Sequence, residues 1–86
     1  MIVSWSESSW NEYLYWQATD KNILKKINGI IKDIIRSPFS GIGKPEPLKY
    51  KNGNFWARRI NEEHRLVYTL DKDIIYIAQC RWHYNK

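Results

Sequence analysis

Residues 55–82 read FWARRINEEHRLVYTLDKDIIYIAQCRW, and the period of this stretch decides the fold. Phe55–Ile60, Arg65–Leu70 and Ile74–Trp82 alternate side chains of different character, as half-buried strands do. Only Asn61-Glu62-Glu63-His64 and Asp71-Lys72-Asp73 separate them, connections short enough for hairpins, so the three strands form an antiparallel meander.

Upstream the period is helical. Ile23, Leu24, Ile27, Ile30, Ile31, Ile34 and Ile35 recur at the spacing of one helix face, behind Asp20 as N-cap and ahead of Ser37-Pro38 as a stop. Lys25, Lys26, Lys32, Asp33 and Arg36 fill the remaining positions. A shorter helix begins at the cap Ser6, with Glu7 near its positive end. Trp10, Tyr13, Leu14 and Gln17 are expected on its inner face and Trp16 at the margin. Met1–Trp5 suits a first strand. The segment from Ser37 to about Lys49 is a Gly- and Pro-rich loop, long for a compact domain, and long ordered loops usually carry function. The order implies an α+β domain spanning residues 1–86, two helices packed on one face of a twisted antiparallel sheet.

Parity then sorts the strands into faces. Trp56, Ile60, Leu66, Tyr68, Leu70, Ile74, Tyr76, Ala78, Cys80 and Trp82 should meet the helices. Ala57, Arg59, Arg65, Val67, Thr69, Gln79, Arg81 and His83 should form a second face that is polar and cationic apart from Phe55, Ile75 and Ile77. Arg59 and Arg65 lie near each other if the hairpin centres on Glu62. Like charges facing across strands destabilise a sheet. One such arginine is ordinarily a solvated surface residue, but three arginines, a histidine and an overhanging loop on one face read better as a phosphate site.

Glu46 is the one carboxylate of the long loop, bracketed by Pro45 and Pro47 with Lys44 and Lys49 near in sequence. An isolated exposed acid is commonplace. Beside a phosphate site, a carboxylate can instead deprotonate a nucleophile, and His83 can supply a proton because imidazole titrates near working pH. These parts suit cleavage of an RNA phosphodiester by its own 2′-hydroxyl, with cations holding the charge on phosphorus. His64, His83 and the scattered acids lack metal-ligand spacing, so no metal and no other cofactor is expected. No glycine-rich phosphate loop opens a helix. Cys80 falls on core parity and is not read as a nucleophile.

Composition bounds the partners. Lysine and arginine total 14 against nine acids, a net charge of +5 that favours polyanions in a salt-dependent way. Most of the five Trp, six Tyr and two Phe are expected in the core, which a domain of 86 residues needs. A single cysteine excludes an intramolecular disulfide, and neither a bilayer-spanning run nor a signal-peptide pattern is visible. A cytoplasmic location without membrane contact is the expectation.

Several blocks together resemble one family. Trp5-Ser6-Glu7 with Trp10, Tyr13-Leu14-Tyr15-Trp16-Gln17, Lys44-Pro45-Glu46-Pro47-Leu48-Lys49, Arg58-Arg59-Ile60, Glu62-Glu63-His64-Arg65-Leu66-Val67-Tyr68 and Cys80-Arg81 with His83-Tyr84 resemble YoeB-type toxins of the RelE/ParE superfamily. The resemblance covers essentially the whole chain. It implies a microbial-RNase-like, RelE-like fold and cleavage of mRNA in the ribosomal A site, which inhibits translation. It also implies a YefM-type antitoxin as partner and toxin dimers. Carried over by position, it makes Glu46 the general base, His83 the general acid and Arg65 the main phosphate-stabilising residue. Arg59 and Lys49 act in support, and Tyr84 helps to order substrate. Arg81 joins the phosphate-binding group as part of the cationic face. Family chains commonly stop at the His-Tyr pair, whereas this one continues through Asn85 and Lys86, an extension expected to point to solvent and be tolerated.

Three other readings compete. A gyrase inhibitor of the ParE type shares the fold but has no need of Glu46, Arg65 and His83 together. A non-catalytic RNA- or ribosome-binding module would use the same basic face, yet Glu46 repels phosphate. An inactive relative kept as an antitoxin partner is the third.

Overall fold

The computed structural model describes residues 1–49 and 54–83. Its elements are β1 (Ile2–Trp5), α1 (Glu7–Thr19), α2 (Lys21–Arg36), β2 (Glu46–Leu48), β3 (Phe55–Arg59), β4 (Arg65–Asp71) and β5 (Ile74–Gln79). They build the expected α+β architecture, with both helices against one face of a five-stranded sheet in the order β1-β5-β4-β3-β2. The sheet is mixed rather than wholly antiparallel, because β1 runs parallel to β5. β1 enters α1 at the end where β5 finishes, so the start of α1 bonds to β5: Ser6 N and Ser9 Oγ both donate to Ile77 O.

Ser6 and Ser9 form a reciprocal capping box at the start of α1, and Asp20 Oδ1 accepts from Asn22 N and Ile23 N at the start of α2. The isoleucine stripe of α2 supplies the core centre. Ile27, Ile30 and Ile34 are fully buried against Ile60, Leu66, Tyr68, Ile75 and Ile77, while Ile35 stays exposed at the edge of the stripe.

Three expectations are corrected. The inner face of α1 carries Ser9, Glu12 and Trp16, with Tyr13 packed against the core as expected, whereas Trp10, Leu14 and Gln17 are exposed. Hydrogen bonds select this face: Glu12 Oε1 accepts from Cys80 N at 2.8 Å and Trp16 Nε1 donates to Cys80 O at 2.9 Å. The parity of β5 is also shifted. Ile75 and Ile77 are in the core and Tyr76 is exposed, because a bulge at Ala78 lets Val67 face Gln79 while Tyr68 faces Ile77. The bulge restores even parity at Cys80, which is buried, but Trp82 beyond the strand turns outward. Finally, Glu46 stands on a strand and not in a loop. β2 is an edge strand, the setting in which Pro47 costs no ladder bond.

Candidate active site

Glu46 faces Ala57 across β2 and β3, Ala57 faces Val67 on β4, and Val67 faces Gln79 on β5. These four residues therefore form one cross-strand row on the side of the sheet away from the helices. Three strand spacings of about 4.8 Å separate the ends of the row by roughly 14 Å. Its middle is apolar: Ala57 and Val67 are buried with Leu48, and Phe55 and Ala78 pack against them. The second face is thus less polar than its sequence suggests, and Glu46 projects beside an apolar floor.

Two residue pairs further along, on the same face, Arg59 and Arg65 are direct cross-strand partners, as the turn length requires. They differ in environment. Arg59 is exposed and its backbone N–H donates to Gly43 O at 2.6 Å, fastening β3 to the segment that leads to Glu46. Arg65 is buried; its Nη1 donates to Asn61 O at 2.6 Å and to His64 O at 3.0 Å, which fixes the guanidinium against the β3–β4 turn. Lys49 is exposed at the end of β2. Glu46, Arg59 and Arg65 consequently share one face on three successive strands.

The residues after β5 are held mainly by side chains. Trp82 N donates to His64 Nδ1 at 2.7 Å, Arg65 N donates to Trp82 O at 3.0 Å, and Gln79 Nε2 lies 2.8–3.1 Å from the carbonyl oxygens of Arg81, Trp82 and His83. Trp82 itself adopts φ +70°, which bends the chain sharply. His83 follows this bend and is exposed, its carbonyl tied to the Glu46–Gln79 row. Arg81 does not join Arg59 and Arg65. Its guanidinium lies 3.7 Å from the Tyr15 ring centre and 4.3 Å from that of Trp82, engaged with α1. Tyr84 and the Asn85-Lys86 extension lie outside the described residues.

Beneath the site is a charged cluster. Arg58 falls on the helix-facing parity of β3 and is wholly buried. It donates to Asp33 Oδ2 at 2.6 Å, and to the carbonyls of Ser37, Ser40 and Ile42, while its Nε reaches Tyr68 Oη. Tyr68 Oη donates to Pro38 O, and Asp33 Oδ2 also accepts from Ile42 N. One arginine thus satisfies three carbonyls of the segment 37–42, with Tyr68 and Asp33 taking Pro38 O and Ile42 N–H. The Arg58 guanidinium and the Ile42 N–H hold the Asp33 carboxyl below the usual carboxylate range. Burial, reinforced by Glu12, pushes the Cys80 thiol up to about 12, so it is an inert core group. Among the described residues no three His, Cys, Asp or Glu side chains gather as metal ligands.

Residues 5–84 match the family described as YoeB-like toxin of bacterial type II toxin-antitoxin system. The chain belongs to this family. It is 63% identical to Toxin YoeB of Escherichia coli O6:H1 over 84 residues, covering 98% of this chain and all of that one. The fold agrees with solved YoeB structures. The YoeB dimer from Staphylococcus aureus superposes with a TM-score of 0.93 at 46% identity, over 98% of each chain. The toxin in the heterotetrameric YoeB-YefM toxin-antitoxin complex from Staphylococcus aureus does so with 0.90, also at 46% identity and 98% of each chain.

Within this YoeB-family chain, the residues that organise the site are largely ones that pattern reading passes over. Asp33 looks like a solvated helix position, and Arg58 interrupts an apolar parity. His64 is buried between the rings of Trp16 and Trp82, at 4.8 and 5.6 Å. The one available signal was Arg58 itself, a charge at a position whose neighbours on either side, Trp56 and Ile60, belong to the core.

Proposed function

We propose that this chain is an endoribonuclease that cuts mRNA in the ribosomal A site and thereby arrests translation. In this reading the Glu46 carboxylate removes the 2′-hydroxyl proton of the nucleotide before the scissile bond. The 2′-oxygen attacks phosphorus, the bond to the 5′-oxygen breaks, and His83 donates a proton to that oxygen. The products are a 2′,3′-cyclic phosphate and a 5′-hydroxyl. Arg65 stabilises the charge developing on the phosphate oxygens, Arg59 and Lys49 add positive potential, and Tyr84 helps to order the substrate. The chemistry assigns every proton and charge to these side chains, so the reaction is read as metal-independent. Arg81, stacked on Tyr15 and Trp82, contributes to the field rather than by contact with phosphate.

The order of groups across the sheet carries this reading: a carboxylate on β2, one arginine each on β3 and β4, and the histidine just beyond β5. A gyrase inhibitor or a passive RNA-binding module has no need of an acid and a base flanking two cations. The same reading makes a YefM-type antitoxin the natural inhibitor and a homodimer the expected free form. It also expects action in the cytoplasm; among the described residues no helix is long and apolar enough to cross a membrane.

Inducible expression with mapping of mRNA 5′ ends tests the proposal. Wild type should arrest growth and create new ends within translated codons, and Glu46→Ala and His83→Ala should abolish both. Arrest without new RNA ends, or with DNA breaks, overturns it.

A further inference from the structure

Strand pairing ends at Gln79, yet the four residues that follow are fixed by specific contacts. Cys80 is held by α1, through Glu12 and Trp16. Trp82 is held by the β3–β4 hairpin, through His64 and the backbone of Arg65. The His83 backbone carbonyl, in turn, accepts from the carboxamide of Gln79.

The geometry of that carboxamide is specific. Nε2 faces three carbonyl oxygens, those of Arg81 at 2.8 Å, Trp82 at 2.9 Å and His83 at 3.1 Å. The flipped amide would set its oxygen against three oxygens, so the donor orientation is the one the site accepts. Two N–H groups shared among three carbonyls draw them into one small turn. That turn contains Trp82 at φ +70°, a region in which a bulky residue is held only when its surroundings over-determine it. Gln79 is also the far end of the row that begins at Glu46. A single side chain therefore references the backbone of residue 83 to the strand ladder that carries the opposite carboxylate.

We propose that Gln79 is a positioning residue for His83: it sets where the imidazole stands relative to Glu46 and Arg65 without touching substrate. The inference rests on the reading of His83 as general acid. Its mechanism is preorganisation, since a proton donor displaced by about 1 Å from the leaving oxygen loses much of its rate advantage.

Gln79→Met keeps the side-chain length and removes both donors, and Gln79→Glu replaces them with a carboxylate that repels the same carbonyls. Single-turnover cleavage of mRNA on programmed ribosomes should fall about tenfold in the maximal rate for Gln79→Met, with the half-saturating concentration within about twofold of wild type. Gln79→Glu should fall further. In the free protein, ¹⁵N relaxation should show residues 81–83 losing order in both variants while β3 and β4 keep theirs. Should methionine not be accommodated, Gln79→Ala removes the same donors without added bulk and carries the same expectation. Wild-type rate in Gln79→Met, or unchanged order at residues 81–83, overturns the proposal. So does a rate loss matched by disorder throughout the sheet, which would make Gln79 a general stabiliser. If His83→Ala cleaves like wild type, the acid assignment fails instead, and the relaxation data still decide whether Gln79 orders the turn.

Discussion

Arg58 Nη1 donates to Asp33 Oδ2 at 2.6 Å with both side chains out of solvent, joining β3 to α2 and both to the segment that delivers Glu46. A buried ion pair seldom stabilises a fold by its mutual attraction alone, because desolvation offsets the Coulomb gain. Here the guanidinium also accommodates three carbonyls that have no strand or helix to pair with. Removing it leaves the Asp33 carboxylate with only the exposed Arg36 as a cationic partner and leaves those carbonyls unpaired. Arg58→Met should lower the unfolding free energy by about 3–5 kcal/mol. Urea denaturation measures it, and a loss below about 1 kcal/mol would mean water replaces the arginine readily.

How far the sequence foretold this arrangement depends on what fixed each element. Apolar period fixed α2, and its isoleucine stripe is the observed core. Turn length fixed the partnering of Arg59 with Arg65. Apolar spacing does not give the face of α1, because hydrogen bonds choose it: Cys80 N donates to Glu12 and Trp16 donates to Cys80 O. Parity does not give the faces of β5, because one bulged residue inverts every side chain before it and no residue type marks a bulge unambiguously. Asp33 and Arg58 were invisible as a pair, since charge complementarity across 25 positions has no local signature.

Two carboxylates should give the stability opposite pH slopes. Asp33 is held below its ordinary 3.8 by Arg58. Its contribution is therefore present above pH 3.8 and lost as pH falls through the lower folded-state value. Glu12 is raised above 4.5 by burial, against the pull of the Cys80 N–H. The folded state then holds a proton that the unfolded chain has released, so its cost grows as pH rises from 4.5 through the folded-state value and persists at pH 7. Glu12→Gln keeps the acceptor for Cys80 N–H and removes the charge. It should raise the melting temperature at pH 7 and have little effect below pH 4.5, whereas Asp33→Asn should destabilise at pH 7 and flatten the acid limb. Melting curves between pH 3 and 8 check both, and equal shifts at all pH values would contradict the assignment.

Two glycines should respond in opposite senses to the same added methyl. Gly41 has φ +119°, and a Cβ there would collide with the Asp33 carboxylate beside Arg58. Gly29 lies within α2 with nothing within 4 Å of an added Cβ. Gly41→Ala should cost about 1–3 kcal/mol from backbone strain alone, and Gly29→Ala should stabilise by about 0.5–1 kcal/mol. Thermal melts of the two single variants report the signs directly. A stabilising Gly41→Ala would mean the segment after α2 relaxes away from Asp33 without cost.

The facing pair Arg59 and Arg65 should reveal function as a conflict between stability and activity. Two like charges opposite each other on neighbouring strands disfavour the folded sheet. Arg65 Nη1 donates to turn carbonyls, so the exposed Arg59 is the member that can be removed without leaving those acceptors unpaired. Arg59→Ser should raise the melting temperature at low ionic strength and do so less at high salt, where repulsion is already screened. The same change should slow RNA cleavage and reduce its dependence on salt, because one cation fewer meets the phosphate backbone. If the arginine were an ordinary solvated side chain, cleavage would be unaffected. If it were a structural one, the melting temperature would fall. A gain in stability coupled to a loss in cleavage is the outcome that a phosphate site maintained against its own repulsion produces.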